Sequence, residues 1–523
     1  MEVSPMKLNY KRTILVGFAF FLISAFWQAY DATIPMILIN KFGMSQFWSG
    51  VIMALDNILA VFMLPLFGSL SDKCLGSKHG RRTPFITIGT IVAAVALVGL
   101  TFVDNAQLKN ISEVATIDDP AALTVIYDAE GKTELKTPEG EKFVLEDLFS
   151  REQFAAITSM TTNEAGKEIT NPDYTDYVAP ARQAYVAQKT GEHSTELISF
   201  VLLLLVILVA MSTFRSPAVA LMPDVTIKPL RSKGNAVINL MGTAGGILVL
   251  VLGIVFSTSA VKNSLMSYTV YYSVIAGVML LALGIFLLTV REKKWAKQMQ
   301  EDSVRFGIEE DDQADMTAKR ALTGSEKMSL VFILLSIALW YFGYNAVTSK
   351  YSVYATNILN KDYNTTMLLA QAAAIVAYLP AGIVASKIGR KKTIISGVIM
   401  LSGAFAAAAF MRASSPTWLM NVMFITAGIG WATINVNSFP MVVEMCSGSD
   451  IGKYTGYYYT ASMTAQIFTP MLSGFLMDNI NELILFPYAA IFAGLAFVTM
   501  LLVRHGDAKP TAKKGLEALD IDD

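Results

Sequence analysis

The sequence predicts an all-α integral membrane protein in which twelve transmembrane helices form two pseudo-symmetric six-helix bundles. Three observations lead to this fold: an apolar composition, a series of long apolar segments, and a repeat shared by the two parts of the chain. Of 523 residues, 54% are hydrophobic and 16% are charged, and the mean hydropathy is +0.48. A soluble domain carries about 25% charged residues. The bilayer is therefore the expected solvent for most of the chain.

Twelve segments are apolar enough to cross a bilayer, which takes roughly 20 residues of helix. In the first part of the chain they lie near 13–38, 47–70, 84–103, 197–223, 236–258 and 267–290. In the second part they lie near 328–349, 366–386, 393–411, 416–438, 455–477 and 484–503. The first segment is too long for a cleavable signal peptide, so we interpret it as a spanning helix.

Lys and Arg alternate between the two sides of the predicted bundle and predict its orientation. One set of short loops carries most of them, including Lys73, Arg81 and Lys391, whereas the opposite set offers little beyond Lys41 and Lys350 and a few similar residues. We therefore expect a multi-pass protein of the cell membrane, inner or plasma, with both termini in the cytoplasm.

The spans divide the chain into an N-terminal bundle at 1–290 and a C-terminal bundle at 327–504. Charged residues 291–326 are expected to form a cytoplasmic linker, and 505–523 a cytoplasmic tail. Between the third and fourth spans, residues 105–196 form a polar insert on the outer face.

The insert holds 17 acidic and 8 basic residues, a formal balance of −9. From Leu123 to Phe149 apolar and polar residues alternate around Glu130-Gly131 and Glu139-Gly140, which predicts hairpins and a small extracellular subdomain. A lid, a receptor and a solvated excursion all remain open as its role.

A short motif occurs in both parts of the chain, as in membrane proteins built from two related halves. After the second span, Gly68 precedes Asp72 by four residues, and Gly80-Arg81-Arg82 follows. After the eighth span, Gly382 precedes Ser386 by the same spacing, and Gly389-Arg390-Lys391 follows. A second repeat places Arg215 and Lys233 nine residues either side of Asp224, and Asn435 and Lys453 nine residues either side of Glu444.

These motifs carry a family resemblance. The pattern from Gly68 to Arg82 resembles the loop motif of the major facilitator superfamily. Its fuller form, which runs on through Thr83-Pro84-Phe85-Ile86, resembles the plant sucrose:proton symporters and, more loosely, the glycoside–pentoside–hexuronide:cation symporters. The segment from Pro217 to Asp224, with Arg231-Ser-Lys-Gly-Asn-Ala after it, is similar to the fourth-helix region of the sucrose carriers.

The sequence also departs from these families. Val219 stands where the sucrose carriers have an Arg, and Arg215 precedes Pro217 by two residues instead. Ser386 replaces an Asp that is frequent in the superfamily, and the insert is not part of its familiar pattern. The resemblance implies the major facilitator fold and a secondary active transporter that imports a disaccharide or other glycoside with protons by alternating access.

Three charged residues fall inside predicted spans: Asp31, Asp56 and Arg215. Such residues cost about 2.5–3.5 kcal/mol each on insertion scales and are usually functional. Asp31 and Asp56 flank the turn near residue 42 and lie at similar depth, at about 1.5 Å of rise per residue. Neighbouring carboxylates in a low-dielectric cavity bind protons readily. We expect these two carboxylates to carry the coupling ion, a proton, with Arg215 as their partner. The alternative for Asp31 is that it is merely hydrated near the outer interface. The alternative for Arg215 is that it anchors the cytoplasmic mouth.

A sugar site combines aromatic faces with amides or charges that bind hydroxyl groups. The resemblance implies that the first, fourth, seventh and tenth helices line the cavity. The substrate-binding candidates on these helices are Trp27, Gln28, Tyr30, Trp340, Tyr344, Asn345, Trp431, Asn435 and Asn437. Packing is the alternative role for each of them taken singly.

The loop motifs predict a cytoplasmic gate, a charge cluster with helix ends of the other half or bundle that forms in one access state and breaks in the other. The alternative is that these charges only set topology. The gate candidates are Asp72, Arg81, Arg82, Asp224, Arg231, Arg390 and Glu444.

Other classes of function find little support. The net charge of −1 argues against a nucleic-acid partner. We find no Walker-type nucleotide motif and no metal-ligand constellation, and none of the histidines, His79, His193 and His505, lies in a span, so we expect no enzyme and no cofactor. The expected partners are a small sugar and the lipid bilayer, and a monomer is compatible with the sequence. Three alternatives stay open: a sodium-coupled symporter, an exporter of drugs or metabolites, and a non-transporting nutrient sensor.

Overall fold

The computed structural model describes residues 7–74, 80–162, 166, 168–227, 230–306, 322–443, 445 and 451–506. The expected tail beyond residue 506, part of the expected linker at 307–321, and Glu444 lie outside the described residues. Helices dominate the described chain, and strands occur in the insert.

The first half contains six long helices, interrupted by the insert. Three precede it: α1 (Tyr10–Met36), which continues as a π-helical turn at Ile37–Lys41, α2 (Gln46–Lys73) and α3 (Thr83–Asn110). The insert then supplies α4 (Pro120–Glu130), β1 (Leu135–Lys136), β2 (Lys142–Phe143), α5 (Leu145–Leu148), α6 (Arg151–Ala155), β3 (Met160–Thr162), β4 (Glu168–Thr170) and α7 (Ala179–Glu192). Three long helices follow, α8 (Ser194–Val225), α9 (Arg231–Val255) and α10 (Thr269–Thr289).

The second half begins after a shorter helix, α11 (Glu292–Arg305). Its long helices are α12 (Gly324–Val353), which continues as a π-helical turn at Tyr354–Ile358, α13 (Tyr363–Ile388), α14 (Arg390–Ala408), α15 (Thr417–Val443), α16 (Ile451–Asn479) and α17 (Leu485–Leu502). The expected linker therefore contains a helix, α11, which packs against the end of α8.

The predicted helical membrane fold is confirmed. In the described chain, twelve helices have 18 residues or more, and eleven are long and apolar enough to span a membrane. The remaining one, α16, has the length of a span but is richer in Tyr, Ser and Thr.

Two pseudo-symmetric bundles are formed by these helices. Each half has its own buried apolar core, one centred on α1, α3, α8 and α10 and the other on α12, α14, α15 and α17. The bundles meet through two equivalent contacts, α2 against α16 and α9 against α13, and also through their first helices, α1 against α12. The first helix of each half ends in a π-helical turn at the same point, so the repeat in sequence is also a repeat in structure.

The insert packs as a small subdomain with its own core, which includes Leu123, Phe154 and Tyr185. The hairpin predicted around Glu139-Gly140 is confirmed as β1–β2, and β3–β4 forms a second hairpin. The hairpin predicted around Glu130-Gly131 is wrong, since α4 occupies that segment. Asp119 caps α4, Pro120 opens it, and its buried residues recur at helical spacing.

The halves are joined at the end of the bundle that carries the insert, which we call the insert side. Here Asp478 of α16 accepts hydrogen bonds from the first two backbone amides of α2, Gln46 N and Phe47 N, both at 2.8 Å. A carboxylate is favoured at this position because a helix N-terminus carries positive potential and free N–H groups. Lys350 of α12 donates to the Gln46 carbonyl at 2.5 Å.

Close backbone contact reinforces the junction on the insert side. A Cβ on Gly50 of α2 would lie 2.0 Å from the carbonyl oxygen of Pro470 in α16. The contact between α9 and α13 is the counterpart of that between α2 and α16. Here Asn364 of α13 donates to Thr258 at 3.0 Å, and Ser259 donates to Asp362 at 2.5 Å. Asn40 and Asn357, which hold the same position in the two π-helical turns, bond to each other at 2.6 Å.

The opposite end, which we call the terminus side, is more open. A Cβ on Gly382 of α13 or on Gly456 of α16 would meet no atom of the described chain within 4 Å. The last turns of α2 expose Leu66 and Leu70, and those of α13 expose Ile383. The two bundles therefore diverge from the insert side towards the terminus side.

Two lysines that we placed in short outer loops are instead buried. Lys41 forms an ion pair with Asp104 at 2.5 Å, and neither side chain is exposed. The ammonium of Lys41 also lies 4.5 Å from the ring centre of Tyr268. Lys350 is likewise fully buried. Neither lysine is a loop charge. Lys41 lies in the π-helical turn that follows α1 and Lys350 lies in the last turn of α12, and both side chains are buried in protein.

We predict that Lys41→Met destabilises the protein by about 3–5 kcal/mol, because it leaves the Asp104 carboxylate buried without its partner. The double variant Lys41→Met/Asp104→Leu should recover most of this loss. Thermal unfolding of the purified protein in detergent measures both. Lys142→Met, which breaks an exposed pair with Glu134 in the insert, is the control and should change stability little. A Lys41→Met protein as stable as this control would contradict the prediction.

Candidate functional site

Polar and aromatic side chains from both halves meet at mid-depth between the bundles. The set consists of Trp27, Gln28 and Asp31 of α1, Asp56 of α2, Arg215 of α8, Tyr344 of α12, Gln371 of α13 and Trp431 of α15, and we call it the central cluster. Every member is partly exposed. Partial exposure at an interface between two bundles that diverge towards one end indicates a solvent-accessible space.

Both acidic candidates lie in the central cluster. The charges of Asp31 and Asp56 are close enough to interact, as the equal depth predicted from their spacing requires. Asn57 donates a hydrogen bond to Asp56 Oδ1 at 2.7 Å. The Arg215 charge also acts on Asp56, and its guanidinium lies 5.8 Å from the ring centre of Trp27. The three charged residues singled out in the spans therefore form one electrostatic unit.

An amide pair crosses between the halves beside this unit. Gln371 of α13 donates from Nε2 to Oε1 of Gln28 on α1, at 2.6 Å. Gly246 of α9 faces both, with a Cβ position 3.5 Å from Gln371 and 3.8 Å from Gln28. Gln371 was not among the predicted substrate-binding residues, because the resemblance places the first, fourth, seventh and tenth helices, and not the eighth, on the cavity.

An aromatic pair lies on the second half of the central cluster. The rings of Tyr344 and Trp431 stack with centres 3.6 Å apart and planes within 6° of parallel. Tyr341 packs its ring edge-on against Trp431 at 5.2 Å. Tyr344 is also within electrostatic reach of Asp31, which places the stacked pair close to the acidic unit.

Other substrate candidates have mainly packing contacts. Trp340 is fully buried in the core of the second half, and Tyr30 is 3% exposed in that of the first. Asn437 is 2% exposed and donates to the Thr433 carbonyl one turn earlier on the same helix. Trp340 and Asn437 therefore pack within the second half. Tyr30, although nearly buried, borders the central cluster, since its ring centre lies 5.4 Å from that of Trp27.

Asn345 and Asn435 occupy intermediate positions, partly exposed on α12 and α15. The Asn345 amide nitrogen is buried and has no hydrogen-bond partner among the residues that the structure describes. It lies next in sequence to Tyr344, so it adds an available donor near the stacked pair.

The gate candidates of the first half form a compact charge cluster on the terminus side. Arg82 bonds to Asp72 of α2 at 2.5 Å and to Asp224 of α8 at 2.9 Å. Arg81 makes a bidentate contact with Asp224, at 2.7 and 3.2 Å. The hydrogen bond to Asp224 raises the pKa of Arg81 above its ordinary value, so this guanidinium keeps its charge. We expected partners from the other half or bundle, but these ion pairs stay within the first half.

Glu292 completes this cluster and was missed by the sequence analysis. Its carboxylate accepts hydrogen bonds from the backbone amides of Arg81, Arg82 and Thr83 and from the Thr83 hydroxyl, at 2.7–2.9 Å. Gly80 makes this approach possible, because its φ is +135° and a Cβ there would lie 2.2 Å from the carboxylate. Glu292 lies in the segment that we interpreted as a linker, more than 200 residues from the loop it holds, and no local pattern marks it.

The remaining gate candidates are placed elsewhere. Arg231 donates to the carbonyl oxygens of Thr226 and Pro223, both at 3.2 Å, so it caps the end of α8 rather than joining the charge cluster. Arg390 begins α14, at the position equivalent to the Arg81 loop in the repeat. Glu444, which would match Asp224, lies outside the described residues.

Part of the chain matches known proteins in sequence. A family model described as the Major Facilitator Superfamily matches residues 333–519, most of the second half. A sucrose transport protein of Arabidopsis thaliana is 28% identical over 96 residues. That match covers 18% of this chain and 19% of the relative, so it spans about a fifth of the relative's length.

Solved structures match over nearly the whole chain. The xylose transporter XylE from E. coli, in an inward open conformation, has a TM-score of 0.57 at 14% identity and covers 98% of this chain and 99% of that chain. A D-xylose-proton symporter gives 0.53 at 15% identity, over 94% and 97%. A bacterial homologue of the human lysosomal transporter Spinster gives 0.54 at 11% identity, over 95% of each chain.

The chain resembles the Major Facilitator Superfamily. Sequence identities of 11–15% to the solved structures show a shared fold. The family model adds a match in sequence over most of the second half. The proteins that match are transporters, not enzymes. Within the described ranges, no group of three or more His, Cys, Asp or Glu side chains is arranged to hold a metal ion.

Proposed function

We propose that the protein is a secondary active transporter that imports a sugar together with protons by alternating access. The observation that carries this proposal is the position of the Asp31–Asp56–Arg215 unit. It lies at mid-depth between two bundles that are joined at one end and diverge at the other. Charges that are costly to bury and are placed at such an interface are expected to bind what is carried.

The acidic unit supplies a mechanism for coupling. With Asp56 ionised, the Arg215 charge stabilises it. Proton binding to Asp56 removes that attraction and also relieves the repulsion from Asp31. Each protonation state therefore favours a different packing of α1, α2 and α8, which is how a bound ion shifts a two-state equilibrium. Sodium is the competing ion, since two carboxylates also suit a hard cation.

The cluster also has the parts of a sugar site. The stacked rings of Tyr344 and Trp431 offer an aromatic surface, and the Gln28–Gln371 pair offers donors and acceptors for hydroxyl groups. The Gln28–Gln371 bond joins the two halves, so a sugar that inserts between these amides would bind both bundles at once. The match to a sucrose transport protein supports this substrate class.

We place the terminus side in the cytoplasm, because the short loops on that side carry most of the Lys and Arg residues. The insert side then faces outward, and the structure corresponds to a state closed to the outside. Asp478 at the N-terminus of α2 and the Asn40–Asn357 pair hold that closure. Opening to the outside requires these bonds to break while the halves approach each other at the terminus side. On that side the Arg81–Arg82–Asp224 cluster sets the positions of α2, α3 and α8.

We predict that proteoliposomes containing the protein accumulate a glycoside above its outside concentration under an inward proton gradient, and that an uncoupler abolishes accumulation. Uptake of labelled disaccharides and monosaccharides measures this. Accumulation driven only by a sodium gradient would replace the proton by sodium. Failure of every sugar to accumulate under either gradient would contradict the sugar proposal and favour an exporter or a sensor.

We predict that Asp56→Asn abolishes proton-driven accumulation but keeps exchange of labelled for unlabelled sugar, because the amide mimics the protonated carboxylate permanently. Accumulation and exchange are measured in the same vesicles. Asp128→Asn in the exposed insert is the control and should retain both activities. Normal accumulation by Asp56→Asn would rule out this residue as the coupling group.

We predict that Trp431→Ala raises the KM for the transported sugar about three- to tenfold, as expected when an aromatic contact of 0.5–1.5 kcal/mol is lost. Concentration-dependent uptake measures the KM. Trp418→Ala removes an exposed Trp from the insert-side end of the same helix and should leave the KM unchanged. Equal effects of the two substitutions would show that the stacked pair does not contact the sugar.

A further inference from the structure

A second cavity lies far from the central cluster, beneath the insert. It has a volume of about 330 Å³. Its walls come from three parts of the chain: the insert, the insert-side ends of the first half, and those of the second half. The polar residues on its walls include Asn40, Lys136, Arg182, Asn357, Asp478 and Glu482. Its volume is at the lower end of the range of small-molecule sites, about 300–1,000 Å³.

Arg182 of α7 is the unusual group in this cavity. Its side chain is 95% buried, since its exposure is 5%, yet none of its three guanidinium nitrogens has a hydrogen-bond partner among the described residues. The guanidinium carbon of Arg182 lies 5.9 Å from the centre of the Tyr174 ring, a cation–π contact. A buried charge left without partners is costly, and proteins keep such a group where a ligand supplies the missing bonds.

Several other polar groups of the cavity are already engaged. Asn40 and Asn357 bond to each other. Asp478 accepts the two backbone amides at the start of α2. Gln183, next to Arg182, donates to the Met44 carbonyl. Among the described buried side chains on these walls, Arg182 is the one with unpartnered donors, and the exposed Lys136 is a second cation on the same walls.

We propose that this cavity binds a small organic carboxylate, with its two oxygens on the guanidinium of Arg182. The fork of N–H donors on a guanidinium matches a carboxylate in a bidentate arrangement. A singly charged anion suits these walls, because Asp478 and Glu482 offset the positive charges of Arg182 and Lys136 and disfavour a multiply charged anion such as a phosphate dianion.

The position of the cavity gives the bound carboxylate a consequence for conformation. Its walls join the insert to both bundles in the state in which the insert side is closed. A ligand that fills the cavity binds this state better than one in which the halves separate there, and so stabilises it by mass action. The insert thereby links a solute other than the transported one to the conformational equilibrium of the bundles.

The test is thermal unfolding of the purified full-length protein in detergent, with lactate and gluconate as probes. Lactamide and gluconamide, of the same shape without the charge, are the matched controls. We expect both carboxylates, and neither amide, to raise the unfolding temperature. No shift with either carboxylate, or equal shifts with the amides, would overturn the proposal.

Arg182→Met tests the residue itself. Its apparent dissociation constant for the carboxylates should rise at least about tenfold, the loss of one charge-assisted interaction. Its unfolding temperature without ligand should equal or exceed that of the wild type, because Met fills the space without an unpaired charge. A purely structural arginine would instead lower it, and unchanged carboxylate binding would overturn the assignment.

A further variant separates this cavity from other charges. Arg151→Met removes an exposed arginine of the same insert, which pairs with Asp128, and should keep the full carboxylate response. Loss of the response in this variant would contradict a site centred on Arg182. The readout needs no transport, so its failure is distinguishable from failure of the transport proposal.

Discussion

The cost of taking a charged side chain out of water shapes the whole molecule. Lys41 and Asp104 are fully buried and share one ion pair, and Lys350 is buried where it reaches the start of α2. Asp31, Asp56 and Arg215 are at mid-depth, but they are partly exposed at the interface between the bundles. Charges with fixed partners therefore hold the fold together, Lys41 and Asp104 within the first half and Lys350 between the halves, and charges that keep access to solvent lie at mid-depth between the bundles. This division explains why the first group is structural and the second is the candidate for ion binding.

The closure on the insert side is assembled from bonds that are individually modest. Asp478 meets the N-terminus of α2, Asn40 meets Asn357, and hydroxyl and amide groups meet at the start of α13. A net hydrogen bond contributes about 0.5–1.5 kcal/mol, so several together are comparable to the free energy of binding a small solute. A junction of this strength can be broken and re-formed, as the proposed transport cycle requires, whereas the apolar cores of the two halves are far larger and are expected to stay intact.

Much of the fold follows from the sequence, because the bilayer imposes long apolar helices and the repeat at Gly68 and Gly382 marks the two halves. The charged residues in spans were also found, since each is expensive there. The errors share a physical cause: they concern contacts between residues distant in sequence. Glu292 holds the Arg81 loop from a segment that resembles a linker, and Trp340 lies in a core although its type suits a sugar site. Whether a side chain faces a core or the interface depends on how all the helices pack. A span with apolar residues on every face gives little information about which of its sides is which.

The insert shows how a soluble subdomain can act on a membrane bundle. It has an apolar core around Leu123, Phe154 and Tyr185, which Leu265 from the connection between α9 and α10 also joins. Yet the backbone amide of Glu482 in the second half donates to the Pro138 carbonyl in the first hairpin at 2.9 Å, and Arg412 lies 3.6 Å from Glu139. The insert belongs to the first half in sequence and touches the second half in space. Any motion that separates the bundles at this end must therefore break these contacts, which makes the insert part of the closure and not a passive excursion from it.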